Sequence, residues 1–145
     1  MNNRNLIISS CLVVVFCFSV IPTLSVYGSV SNTKRVFIAS CESNNSCFIP
    51  CQTTIVKGDT VMWINLSSEF RMITSGSGQR GPDGWFSSSI IPPHGTFSHT
   101  FDRTGSYIYY DNLHPYGIGV IIVGSTLDSP YVHLQQSYFS HWCVN

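Results

Sequence analysis

Short runs of β-branched, aromatic and apolar residues recur along the chain, and nearly every run is closed by a Gly or Pro turn. The runs are 35–39, 52–56, 60–65, 71–75, 96–102, 106–110 and 118–123. Several alternate with the period of a strand. In Val61-Met62-Trp63-Ile64-Asn65, Val61 and Trp63 share one face. In Phe97-Ser98-His99-Thr100-Phe101, aromatic side chains share one face and small polar ones the other. The 118–123 run is nearly all apolar, the pattern of a strand buried on both sides. Lys57-Gly58-Asp59, Gly76-Ser77-Gly78, Gly81-Pro82-Asp83-Gly84, Pro92-Pro93-His94-Gly95 and Thr104-Gly105 read as the turns. Many short strands with such punctuation predict an all-β sandwich or barrel. Asp102-Arg103-Thr104-Gly105-Ser106-Tyr107 reads as a corner whose Tyr hydroxyl bonds a backbone group on the other side.

With 145 residues the chain has room for one ordinary domain. Seven Lys and Arg balance seven Asp and Glu, and only 10% of residues are charged. No basic stripe is available for phosphate contacts, which excludes a nucleic-acid binder. A hydrophobic content of 43% is too high for a disordered chain. No nucleophile–His–acid set, phosphate loop or paired-carboxylate motif stands out, so an enzyme is not expected.

Arg4 is the sole charge before Lys34, and the stretch between them holds a long apolar run. Residues 1–28 read as a secretory signal with small residues at Val26-Tyr27-Gly28, or as an uncleaved membrane anchor. Both place the rest of the chain on the extracytoplasmic side, secreted or held at the outer face of the membrane. Only an uncleaved leader would touch the bilayer. In an oxidising compartment Cys41, Cys47, Cys51 and Cys143 are expected as two disulfides, with three pairings possible. One of these closes the Cys41–Cys47 loop and lets Cys51 and Cys143 pin the C-terminal tail. The spacing lacks the Cys-x-x-Cys of a metal cluster.

Longer stretches carry a family resemblance. Val56-Lys57-Gly58-Asp59-Thr60-Val61-Met62-Trp63-Ile64-Asn65 is similar to part of a cupredoxin, the plastocyanin-like blue copper domain. So are Thr74-Ser75-Gly76, Gly81-Pro82-Asp83-Gly84-Trp85-Phe86, Phe97-Ser98-His99-Thr100-Phe101 and Gly105-Ser106-Tyr107-Ile108-Tyr109-Tyr110. The final stretches, Leu113-His114-Pro115 and Gly119-Val120-Ile121-Ile122-Val123, follow in the family's order, and the Cys41–Cys47 loop resembles small archaeal members. The resemblance covers residues 35–124 and implies a Greek-key β-sandwich of about seven to eight strands, copper binding and electron transfer.

A blue copper site takes two imidazoles, a thiolate and a weak axial thioether. The family draws one His from an early strand and Cys, His and Met from one later loop. Carried over by position, Arg71 stands at the first His, Asp111 at the Cys and Gly117 at the Met. Only His114 matches. Met72 beside Arg71 should point to the opposite strand face. A cation and a carboxylate thus stand where two ligands would face each other. They are expected either to pair or to sit solvated at the open end of the domain.

The expected role is a redox-inactive binding or structural module at the cell envelope, with an envelope protein as partner. No cofactor is expected, although copper remains possible on family grounds. The alternatives are a non-blue metal site on Asp111 and His114, helped by His133 or His141 of the tail, and a residual electron-transfer role. His94 in a turn and His99 on the polar face of its strand read as structural or exposed. Asn65-Leu66-Ser67 and Asn44-Asn45-Ser46 match the glycosylation sequon. The aromatic tail, 125–145, either packs on the domain or offers a sticky surface.

Overall fold

A computed structural model describes residues 31–40, 47–140 and 143. The leader, His141 and the Asn44 sequon therefore lie outside the described residues. Two sheets face each other. The first has the order β2(Phe48–Ile49), β1(Thr33–Ile38), β4(Thr60–Asn65), β7(Thr96–Thr100). The second has the order β3(Gln52–Val56), β9(Ile118–Gly124), β8(Gly105–Asp111), β5(Ile73–Ser77), β6(Gly81–Ser87). Strands β1 and β4 run parallel, as do β3 and β9, while the other neighbours are antiparallel. This is an all-β sandwich of nine strands, one or two more than the sequence suggests, because β2 is only two residues long.

Alternation sets which side chains enter the core. Val61 and Trp63 of β4, Tyr107 and Tyr109 of β8, and Ile121 and Val123 of β9 all point between the sheets. Trp63 is fully buried and meets the rings of Phe86, Phe97 and Tyr109 at 5.3–5.5 Å between centroids. Gly119 has no room for a side chain, since Tyr109's ring lies where its Cβ would be. The predicted corner is present: the Tyr107 hydroxyl donates to the Arg103 carbonyl at 2.9 Å.

Strand β9 is buried on both faces for an identifiable reason. Its outward residues Val120 and Ile122 are covered by α1(Pro130–Phe139) through Val132 and Phe139. Residues Pro130–Phe139 of the tail are therefore a packed helix and not a loose extension. Ser129 caps it by accepting from the Val132 amide at 3.3 Å, and Pro130 begins the first turn. Cys51 and Cys143 form the disulfide that ties the end of this segment to β3. Cys47 is also disulfide-bonded.

Three local expectations are corrected. Gly81-Pro82-Asp83-Gly84 is the start of β6 and not a turn; positive φ at Gly81 and Gly84 bends the strand beside a register shift in its pairing with β5. The 71–75 run is broken: Arg71 makes an isolated bridge with Ile91, and the ladder resumes at Ile73. His99 lies on the inward face with Phe97, because both are odd-numbered in one strand, and it stacks on Phe86 at 5.0 Å. Burial against these rings lowers the pKa of His99 from its usual 6.5, partly opposed by the Asp102 carboxylate.

Candidate functional site

At one end of the sandwich, β4 finishes at Asn65, β8 finishes at Asp111 and β5 begins at Ile73. The loops leaving these strands bring Ser67, Glu69, Arg71, Asp111 and His114 together. Arg71 and Asp111 are both fully buried. Arg71 Nη1 donates to Asp111 Oδ2 at 3.2 Å, so the two charges pair and are not solvated. Arg71 Nε donates to Ser67 Oγ at 2.9 Å, and Nη2 to Glu69 Oε2 at 3.2 Å. The guanidinium is held on three sides by one carboxylate, one hydroxyl and a second, more exposed carboxylate.

Asp111 is equally occupied. Its Oδ1 accepts from the Met72 and Leu113 amides, both at 3.0 Å. Its Oδ2 accepts from Arg71 and lies 3.0 Å from His114 Nδ1. A carboxylate offers about four lone-pair positions, and this one has four neighbours on the chain itself. His114 is placed by the turn after β8, where its amide donates to the Asp111 carbonyl at 3.1 Å. Its Nε2 faces Glu69 Oε2 at 3.3 Å, so each ring nitrogen meets a carboxylate.

The loop that carries Glu69 is itself braced. Asn65 is fully buried, and its amide donates to the carbonyls of Glu69, Ile91 and Pro92 at 2.7–3.1 Å. Its Oδ1 accepts from the Ser67 amide and hydroxyl. Asn65 therefore belongs to the scaffold of the site, and its amide is not presented as a sugar acceptor. Nothing in the spacing of Asn65, Ser67 and Glu69 marked them as partners of Arg71. Their one signal is the clustering of short polar residues directly after a strand.

The position of Gly117 is closed from the other side. A Cβ there would fall 2.5 Å from Cys47 Sγ. Met72 turns away from Asp111's pocket, and its Sδ accepts from Asn112 Nδ2 at 3.8 Å. His133 is exposed on α1, which packs against β9 and β3 and not against the Asp111 end of β8. Among the described residues, no group of three or more His, Cys, Asp and Glu side chains is arranged to hold a metal ion.

The residues do not fit a copper ion. A metal at this point would need the lone pairs of Asp111 that Arg71, His114 and two amides already use. It would also sit beside a fixed, buried cation, whose repulsion grows in a low-dielectric interior. No thiolate or thioether faces the pocket from Asp111 or Gly117, the positions where the resemblance expects them. The donor set is that of an internal ion pair.

The fold of the sandwich is cupredoxin-like. The chain superimposes on a purple cupredoxin from Nitrosopumilus maritimus with a TM-score of 0.58 and 26% identity, over 62% of this chain and 98% of that one. A Cu(I) form of an amicyanin mutant matches with a TM-score of 0.51 and 25% identity, over 63% of this chain and 82% of that one. A reduced form of another amicyanin mutant shows the fold alone, at 23% identity and a TM-score of 0.53 over the same shares. No protein-family model matches the sequence, and no curated protein matches it.

Proposed function

We propose that this cupredoxin-like domain works without a blue copper centre, as a redox-inactive binding or structural module at the cell envelope. The fold is that of a copper-binding, electron-transfer family. The observation that carries the proposal is the buried Arg71–Asp111 pair, which stands at two positions where the resemblance expects ligands and uses the carboxylate internally. The Cys51–Cys143 disulfide supports an oxidising, extracytoplasmic setting. Support for binding comes from Leu66, Phe70, Ile90, Leu113 and Tyr116, which are large and exposed and lie on the loops that carry Ser67, Arg71 and His114 or, for Ile90, beside the Ile91 that bridges Arg71. An envelope protein is the proposed partner for this end of the domain.

A second reading has one observation in its favour. His114 lies between two carboxylates, with Nε2 3.3 Å from Glu69 Oε2 and Nδ1 3.0 Å from Asp111 Oδ2. Displacement of Arg71 would leave oxygen and nitrogen donors suited to a non-blue Zn(II) or Cu(II) site. Titration of metal-free protein with Cu(II), read by visible absorption and bound-metal analysis, separates the two. The proposal expects no stoichiometric copper and no intense band. An intense blue band at one copper per chain defeats it. Pale stoichiometric binding that disappears in His114→Ala supports the second reading instead.

A further inference from the structure

We propose that two copies of this chain associate through β7, joining their first sheets into one continuous antiparallel sheet across a two-fold axis at Ser98. Strand β7 is an edge, paired on one side only, with β4. The parity of its hydrogen bonds follows from its ends. Phe101 N donates to Asp59 O, and Asn65 N donates to Gly95 O. With His99 opposite Val61 and Phe97 opposite Trp63, the odd-numbered residues bond inward to β4. The amides and carbonyls of Thr96, Ser98 and Thr100 consequently point out of the sheet, and no described residue meets them there.

The other edges are closed to this kind of pairing. Strand β2 has two residues. Strand β3 is flanked by α1, with Gln136 Nε2 donating to Thr54 Oγ1 at 2.9 Å. Strand β6 carries Pro82, two positive-φ glycines and a register shift. Sheet edges are commonly protected by charge, Pro or a bulge. Strand β7, Thr-Phe-Ser-His-Thr, has none of these.

The occupant is argued from the strand's own sequence, which reads nearly the same in both directions. Antiparallel pairing about Ser98 sets Ser98 against Ser98 and Thr96 against Thr100 of the second copy. With the symmetry-related pair of Thr100 and Thr96 there are three pairs that each exchange two backbone bonds, which gives about six across the interface. Phe97 meets His99 on the inner face. On the outer face Thr100 already shares a hydrogen bond with Thr60 at 2.8 Å, and the Thr96 hydroxyl of the second copy would extend that row. No like charges oppose each other along the strand. At its ends Asp102 comes opposite the His94 turn of the other copy, a carboxylate against an imidazole. The pairing is isologous and closes at two, as a two-fold contact requires.

Sedimentation velocity of the purified protein over a concentration series tests this, together with amide exchange at Thr96, Ser98 and Thr100. A monomer–dimer equilibrium is expected, with protection of those amides that rises with the dimer fraction. Ser98→Lys places two ammonium groups across the axis and should raise the dissociation constant by about tenfold or more, less so at high salt. Ser98→Pro removes an amide that faces away from β4, a placement that an edge strand tolerates. It should abolish the dimer while the monomer keeps its circular dichroism and melting behaviour. A chain that stays monomeric throughout the series overturns the proposal. So does a dimer that both substitutions leave unchanged, which would use another surface, or a folded monomer whose edge amides are protected only by an added extended peptide.

Discussion

Arg71 and Asp111 show what it takes to carry charge inside an apolar sandwich. Each is fully buried, and each spends its polar atoms on the other and on the surrounding loops. Such a pair adds little net stability over an apolar replacement, yet breaking it strands a charge. Asp111→Asn keeps the shape and removes the counter-ion. It should lower unfolding free energy by about 3–5 kcal/mol in a urea titration. Arg71→Met combined with Asp111→Leu should be less destabilised than that single variant, because no charge is left behind. Asp111→Asn unfolding at the wild-type midpoint would show that the pair is not the anchor of this end. The pair was legible from sequence only through the family resemblance, which set two distant residues at facing positions. Its supports were not, since residues such as Ser67 and Glu69 in a loop most often face water. They join the site only because Asn65, locked by three carbonyls, turns their loop back over Arg71.

Most strands were readable from period-two alternation and turn residues, and β3 and β4 fall where the runs place them. The elements that escaped have local reasons. The β6 strand begins in Gly-Pro-Asp-Gly, whose glycines take left-handed φ within a strand that shifts register. The helix α1 has an aromatic composition that masks its period, although Ser129-Pro130 is a recognisable start. Its apolar attachment is small, Val132 and Phe139 against Val120, Ile122 and the partly buried Ile108, beside the polar contacts of Gln136 with Thr54 and of Tyr131 and Gln135 with Ser106. Phe139→Ala should cost about 3–5 kcal/mol if the helix stays in place. If the helix releases, the cost is smaller and the amides of α1 exchange faster while those of β8 do not. Ser129→Ala should weaken the same helix by about 1 kcal/mol through loss of its cap. Unchanged exchange in both variants would mean that the disulfide and polar contacts such as Gln136 with Thr54 hold the segment.

The domain as a whole joins its two sheets with aromatic side chains, and along the β6–β7 side Phe86, Phe97 and His99 do so. Folding stability should carry the mark of that imidazole. His99 has a folded pKa below its unfolded value of 6.5, so the unfolded state takes up the proton first. The contribution is fully present above about pH 6.5 and is lost as pH falls through the lowered folded value. His99→Phe should flatten that part of the stability–pH curve relative to wild type, measured by chemical denaturation at each pH. Equal slopes would remove His99 from the account. Chain chemistry alone set the class of fold, because alternation and turns are local and leave few other ways to bury Trp63, Tyr109 and the β9 apolar run. Folding alone decided what surrounds the positions at which the resemblance expects ligands. Burial turned Arg71 and Asp111 into partners and Cys47 closed the space at Gly117, both of them contacts between residues far apart in the chain, whose geometry no local pattern encodes.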